Sequence, residues 1–447
     1  MAPAEGTGRI ELLGSFESTY QPEHDVDVSE SNQHDRRWAE DLELLRSCSV
    51  SRLRYPIRWH RIEQEEGRLD WAATDAVLDH MRRQGLRPTV DLLHHTSYPR
   101  WLTGGFADPR FGVAYLRFLE EFARRYPWIE EYTLFNEPFT TLFLCGHEGI
   151  FPPRLSGMDN FLRLVRNVFP TLTAGSRLYR SVLPQARHVY VDTCERHSAG
   201  DPAGEAYMAL ANDRRFFLQD LFLGRPLERD RPFVRQVVAG GGEDVLGIEP
   251  GHIDVLGLDY YAHSQWQFLA WEKGVNSSPT PDPLADLIVE YWERYRLPCM
   301  LGETNIRGFV SDRASWFKHT LEQCEIAASR GVPIDGYCWF PFVDSCDWDS
   351  LLARADRHID PVGVYWLDGQ MNRHPSSMSR AFGMVASGAT SADLPAYRFR
   401  PPVSDWLRGF LPFMSHWDWQ PPPPGEVCSN APVPGDRIEF RIVDAGE

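Results

Sequence analysis

Two short runs carry the residues best suited to chemistry. Thr133-Leu-Phe-Asn-Glu-Pro138 is an apolar strand that delivers Asn136 and Glu137 to its C-terminal end, where Pro138 stops the ladder for want of an N–H. Met300-Leu-Gly-Glu-Thr-Asn305 ends in the same way at Glu303. Two facing carboxyls are what glycosidic bond cleavage uses: one protonates the leaving oxygen, and the other attacks the anomeric carbon or activates a water. A separation of ~5–5.5 Å gives the retaining, covalent route and a wider gap the inverting one. The bland reading is a charged strand end paired with an arginine. That suffices for one glutamate, but not for two at one mouth, one of them inside Asn-Glu-Pro.

Positioning such a pair requires a parallel sheet. Eight apolar or β-branched stretches recur, each followed by a segment of helical character: Ile10–Glu17, Ser51–Trp59, Pro88–His95, Glu130–Asn136, Val189–Cys194, Val255–Tyr261, Cys299–Glu303 and Gly336–Val343. Between them lie amphipathic runs such as Asp35–Arg46, Thr74–Gln84, Gly112–Tyr126 and Ala314–Arg330. This alternation predicts an α/β fold, either a closed (β/α)8 TIM barrel or a doubly wound open sheet. No Gly-x-Gly-x-x-Gly turn follows the first strand, which favours the barrel. Glu137 and Glu303 then end strands four and seven, and longer inserts follow strands four, five and six on the C-terminal face. The periodic pattern stops near Gly388. We therefore expect a barrel domain over 1–388 and, over 389–447, a Pro- and aromatic-rich C-terminal extension packing on the barrel or a neighbouring subunit. Its Trp406, Phe410, Phe413, Trp417 and Trp419 are more large apolar side chains than a disordered tail carries.

Composition removes other classes. The 447 residues carry a net charge of −17, the wrong sign for nucleic acid. No run of ~18 apolar residues is present to span a membrane. Lysine occurs only at Lys273 and Lys318, neither after a glycine nor at a strand end, which argues against P-loop and Schiff-base chemistry. The eight cysteines include no C-x-x-C pair and read as reduced, buried thiols. Met1–Gly14 lacks the basic and apolar regions of a secretory signal, and a cytoplasmic protein is expected. His94 and His95 are adjacent; on a strand only one would point into the mouth, and no acidic cluster completes a metal site around them. No metal or cofactor is expected.

From about Leu13 to Arg380 the chain resembles glycoside hydrolase family 1, the retaining β-glycosidases of the clan A barrels, with motifs in the family's order. Ser18-Thr-Tyr-Gln21 is similar to the segment with a sugar-binding glutamine, implying that role for Gln21. Leu53-Arg-Tyr-Pro-Ile-Arg-Trp-His-Arg-Ile62 resembles the second-strand motif, implying that Arg54 supports the nucleophile. Leu93-His-His95 puts His95 at a sugar-binding position. Phe135-Asn-Glu-Pro138 is close to the family's signature. It implies Glu137 as acid/base and Asn136 as partner of the sugar 2-hydroxyl, with Glu303 the nucleophile. Gly146-His-Glu-Gly149 through Pro152 resembles the loop that follows. Gly257-Leu-Asp-Tyr-Tyr261 places Tyr261 beside the nucleophile. Trp339 through Asp344, with Asp347 and Trp348, resembles the eighth-strand segment that stacks on and grips the sugar. Val362-Gly-Val-Tyr365 and Arg373-His-Pro-Ser376 resemble the closing motif.

The departures fall on the wall that reads hydroxyls. Thr96 and Ser97 stand where the family has tryptophan and aspartate, Asp347 where it has glutamate, and Trp339 and Trp348 are one residue further apart. Gly302 and Thr304 flank the nucleophile in place of threonine and asparagine, and Asp259 replaces an asparagine. The resemblance implies a β-glucosidase- or β-galactosidase-like hydrolase of a small saccharide or glycoside, with an altered glycone. A 6-phospho-sugar is disfavoured by the missing lysine. A transglycosylase, an endo-acting clan A glycanase and a catalytically silent sugar-binding barrel remain as alternatives, and oligomeric state is open.

Overall fold

A computed structural model describes residues 9–261, 264–270, 273–276, 284–307, 310–346, 351–352, 355 and 357–395. Eight parallel strands close into a barrel: β1 Leu12–Ser15, β2 Arg52–Pro56, β3 Arg87–Asp91, β4 Glu131–Thr133, β5 Arg187–Thr193, β6 Val255–Asp259, β7 Cys299–Glu303 and β8 Ile334–Trp339. Each strand pairs with its sequence neighbours, and β1 pairs with both β2 and β8, which excludes the open sheet. All eight strands overlap the stretches read from hydrophobic pattern, with β3, β5 and β8 beginning one or two residues before them.

The helices pack outside. They include α1 His34–Ser47, α2 Ala72–Gln84, α3 Phe111–Arg125, α4 Pro138–Gly146, α5 Met158–Val182, α6 Leu284–Tyr295, α7 Val310–Ser329 and α8 Ser377–Ala386. On α3, Phe111, Tyr115, Phe118, Leu119 and Phe122 share the buried face, as a 3.6-residue period requires. The inserts after β5 and β6 meet in a small sheet of Arg196–Ala199, Gln265–Ala270 and Lys273–Asn276.

The barrel interior is layered by charge. At the N-terminal end Arg52 donates to Glu131 (2.8 Å) and Asp335 (2.6 Å), and Arg187 joins both carboxylates. Above lies a thin apolar layer of Leu13, Val189, Val191, Val255, Met300 and Cys338. A second polar layer follows at the C-terminal mouth. Beyond α8 the chain turns at Gly388, and Lys318 on α7 donates to the carbonyls of Ser391 and Leu394 (both 2.8 Å). These bonds tie Ser391 and Leu394, in the first residues of the expected extension, to α7. The remainder of the extension, 396–447, lies outside the described residues.

Candidate active site

The mouth is organised around Arg54, which β2 projects inward and which is almost wholly buried. One end of its guanidinium, Nη1, donates to Glu303 Oε1 (2.7 Å) and to the Gly302 carbonyl (3.1 Å). The other, Nη2, donates to Asp91 Oδ2 (3.1 Å) and Asn136 Oδ1 (2.8 Å). The planar fork thereby joins the ends of β2, β3, β4 and β7, which a point-charge ammonium could not do. Tyr261 donates its hydroxyl to the second oxygen, Glu303 Oε2 (2.8 Å), so both oxygens of that carboxylate have donors. Burial and the Glu303 charge hold the Tyr261 phenol well above its ordinary pKa, which keeps it a donor.

Glu303 reaches this position through a register shift. Leu301 pairs with Leu258, but Glu303 pairs with Asp259, so Gly302 is the extra residue. A β-bulge of this kind re-aims the side chain that follows it.

Glu137 sits four residues beyond Thr133, the end of the short β4. Its backbone is left-handed (φ 47°), an uncommon conformation for a residue with a side chain, and its amide is fixed to the Val191 carbonyl (3.0 Å). Pro138 then opens α4. Asp192 on β5 caps that helix, accepting from the Phe139 amide (2.9 Å) and the Thr140 hydroxyl (3.3 Å). The Glu137 carboxyl is held well above the usual carboxylate range by burial and then by the charges of Glu303 and Asp192, which favours its protonated form. One oxygen from each of Glu137, Asp259 and Glu303 lies within 4.8 Å of the other two. These three carboxyls form the one compact set of potential metal donors found among the described residues. The Arg54 guanidinium already lies on Glu303, and we read the set as proton chemistry.

Both histidines reach the site. The strand ends at Asp91, and His95 is itself left-handed (φ 45°), so the face-to-face alternation expected of His94 and His95 does not apply. His95 bonds Thr141 Oγ1 through Nδ1 (2.8 Å) and lies 3.8 Å from Glu137 through Nε2. Burial, aided by the His94 and Arg54 charges, holds it well below its ordinary pKa and therefore neutral. His94 bonds Asp91 (2.7 Å) and faces Glu17 (3.7 Å). Burial opposes its charge, but the Glu17 and Asp91 carboxylates outweigh it and lift the imidazolium to about 9. The Asn136 amide nitrogen lies 3.5 Å from His94, at the limit of a hydrogen bond, and is the donor the site has to offer.

Trp339, expected to form the sugar floor, faces away from the mouth. Inward positions of β8 run Gly336, Cys338, so Trp339 faces the helices: it is fully buried, donates its indole N–H to the Val362 carbonyl (3.0 Å) and meets Phe317 of α7 edge-on. Phe340 takes the inward place and stacks on His94 (centroids 5.4 Å apart, planes at 9°). Gln21 is buried with its amide engaged by its own turn, accepting from the His24 amide (2.8 Å) and donating to Glu23 (3.3 Å). The Asp344 carboxylate takes amides of Val362, Gly363 and Leu367 and anchors the loop after β8. Asp347 and Trp348 lie outside the described residues. Sequence reasoning missed Glu17, Asp91, His94 and Phe340 as members of the site. For Asp91 the signal was present, an apolar strand ending in an acid.

A closed eight-stranded barrel with two glutamates at the ends of strands four and seven is the architecture of a glycosidase barrel. The chain belongs to glycosyl hydrolase family 1, whose family model matches residues 15–292. It is 22% identical to the β-glucosidase A of Thermotoga maritima over 382 residues, covering 75% of this chain and 82% of that protein. It is 26% identical to a β-glucosidase of Agrobacterium sp. over 401 residues, covering 79% and 84%. The solved family 1 β-glucosidase of Thermotoga maritima shares the fold with a TM-score of 0.72 at 17% identity, covering 86% of this chain and 98% of that one.

Proposed function

We propose that this chain is a retaining, exo-acting β-glycosidase that hydrolyses a small glycoside by two displacements. The observation that carries the reading is the unequal treatment of two neighbouring carboxyls: Glu303 is clamped by Arg54 and Tyr261 as an anion, while burial beside that anion favours a proton on Glu137. Glu303 attacks the anomeric carbon as Glu137 protonates the leaving oxygen. Glu137, now a carboxylate, takes a proton from water as the water oxygen attacks that carbon and the bond to Glu303 breaks. Asn136, anchored by Arg54 through its carbonyl, has its amide N–H directed to the sugar 2-hydroxyl, and Gln21, His95, Asp347 and Trp348 contribute to the glycone subsite. Phe340 supplies the aromatic surface first sought in Trp339. The relatives' names support a glucoside-like substrate, and the altered wall supports a glycone other than plain glucose. The seven described cysteines, all free and buried, support a cytoplasmic setting, and no described helix is long and apolar enough to cross a membrane.

The test is intact mass after incubation with 2-deoxy-2-fluoro gluco-, galacto-, manno- and xylosides carrying good leaving groups. A mass gain mapped to Glu303 is expected, and the fastest-labelling sugar names the glycone. Saccharide binding without labelling by any sugar would overturn the reading in favour of a silent sugar-binding barrel.

A further inference from the structure

Asp259 ends β6 between the two glutamates and is wholly buried, yet neither of its oxygens has a hydrogen-bond donor. The other acids of the mouth are provided for: Glu303 by Arg54 and Tyr261, Asp91 by Arg54 and His94, Glu17 by the Ser18 and Thr19 amides, Asp192 by the amides at the start of α4. What Asp259 has instead is another carboxyl, with oxygens of Glu137 and Glu303 within 4.8 Å. Buried carboxyls this close do not all ionise, and the arrangement is satisfied when a proton bridges two of them as O–H···O.

The space for this acid is built in. A β-carbon at Gly302 would stand 2.6 Å from Asp259 Oδ1, so any other residue there would push the carboxyl out of place. Asp259 and Gly302 are both positions where the chain departs from the pattern it resembles.

We propose that Asp259 and Glu137 share a proton, so that the acid of this enzyme is a carboxyl pair and not a single glutamate. The proposal rests on Glu137 being the acid. Groups facing Asp259 are Glu303 on β7, Arg54 on β2, Asp192 on β5, Glu137 before α4 and Tyr261 just beyond β6. Burial, followed by the Glu303 and Glu137 charges, pushes the Asp259 carboxyl well above its ordinary range, and Arg54 only partly offsets this. The protons balance. Glu137 gives the shared proton to the leaving oxygen as Glu303 bonds the anomeric carbon, which leaves the pair without a proton, and the water that displaces Glu303 returns one to the pair through Glu137. Asp259 is a positioning residue, acting through Glu137.

The consequence is that the pair releases its last proton at a higher pH than one carboxyl would. In kcat/KM against pH, Asp259→Asn should move the alkaline limb down by about one unit or more, about tenfold in activity on that limb. Superimposable limbs would overturn the pair, as would a limb in the wild type that shifts when EDTA is added, which would mark a bound cation instead. A second readout does not depend on turnover: 13C NMR titration of carboxyl-labelled full-length protein, with Glu137 assigned through Glu137→Gln. Two-step titration of Glu137 in the wild type, becoming one step in Asp259→Asn or in Gly302→Ala, is expected; one step in the wild type overturns the proposal. If no glycoside is cleaved but the two-step titration is present, the glycosidase reading fails and the pair stands.

Discussion

Trp339 and Phe340 are neighbours in the chain and lie on opposite sides of the barrel wall, the indole against Phe317 of α7 and the phenyl ring flat on His94. The alternation of a strand separates their roles. Trp339→Ala should cost stability, about 3–5 kcal/mol for a buried tryptophan, with KM little changed in the folded fraction. Phe340→Ala, also the truncation of a buried ring, should lower stability and in addition raise KM about three- to tenfold, the 0.5–1.5 kcal/mol scale of an aromatic contact. Denaturant melts beside steady-state kinetics separate the two; the reverse assignment would restore Trp339 as the sugar floor.

Arg54 serves three side chains, Glu303, Asp91 and Asn136, and the Gly302 carbonyl. Arg54→Lys keeps the charge but not the fork, and kcat should fall about a hundredfold, the scale on which a single preorganised electrostatic partner acts. Arg54→Met strands Glu303 and Asp91 as buried anions and should cost about 3–5 kcal/mol. Unchanged kcat in Arg54→Lys would remove the guanidinium from the machinery.

Glu137→Ala removes the acid and base while leaving Glu303 held. Hydrolysis of glycosides with poor leaving groups should fall about 10²–10⁴-fold, the usual worth of general acid–base catalysis. Activated aryl glycosides should still load Glu303. Azide, which needs no general base, should then release a β-glycosyl azide. An α-azide would mean inversion, and no effect of azide would place the acid elsewhere.

The His94 imidazolium, lifted to about 9 from an ordinary 6.5, couples stability to pH. A group whose folded pKa is raised stabilises fully below its unfolded pKa, and that contribution is lost as pH rises through the folded value. The melting-temperature gap between wild type and His94→Gln should therefore be widest near pH 6 and close progressively towards pH 9.5. A gap that widens with pH would mean that His94 is neutral in the fold.

Strand ends were the legible part of this molecule. Hydrophobic stretches place all eight strands, and the apolar runs closing in Glu137 and Glu303 place both acids, because strand burial and strand termination are local properties. Interior facing is nearly as local: counting from Gly336 and Cys338 assigns Trp339 to the outside, and it is the resemblance of the eighth-strand segment that suggests otherwise. His94 escapes because its approach depends on the chain leaving β3 at Asp91 and turning at His95, which alternation does not encode. Asp259 shows in sequence only as an unusual residue. That it is orphaned depends on the spacing of β4, β6 and β7 and on the bare backbone of Gly302, distances no single segment contains.

The cap that Asp192 places on α4 separates what reacts from what is admitted. Glu137 is fastened to β5 from below, through its own amide on Val191 and through the helix start on Asp192. The segment between the end of α4 and Met158 has no part in that fastening. Insertions or exchanges there would remodel the rim of the mouth without moving the acid, and such a chain can acquire new leaving groups by evolution or by loop grafting while its bond-breaking apparatus stays in register.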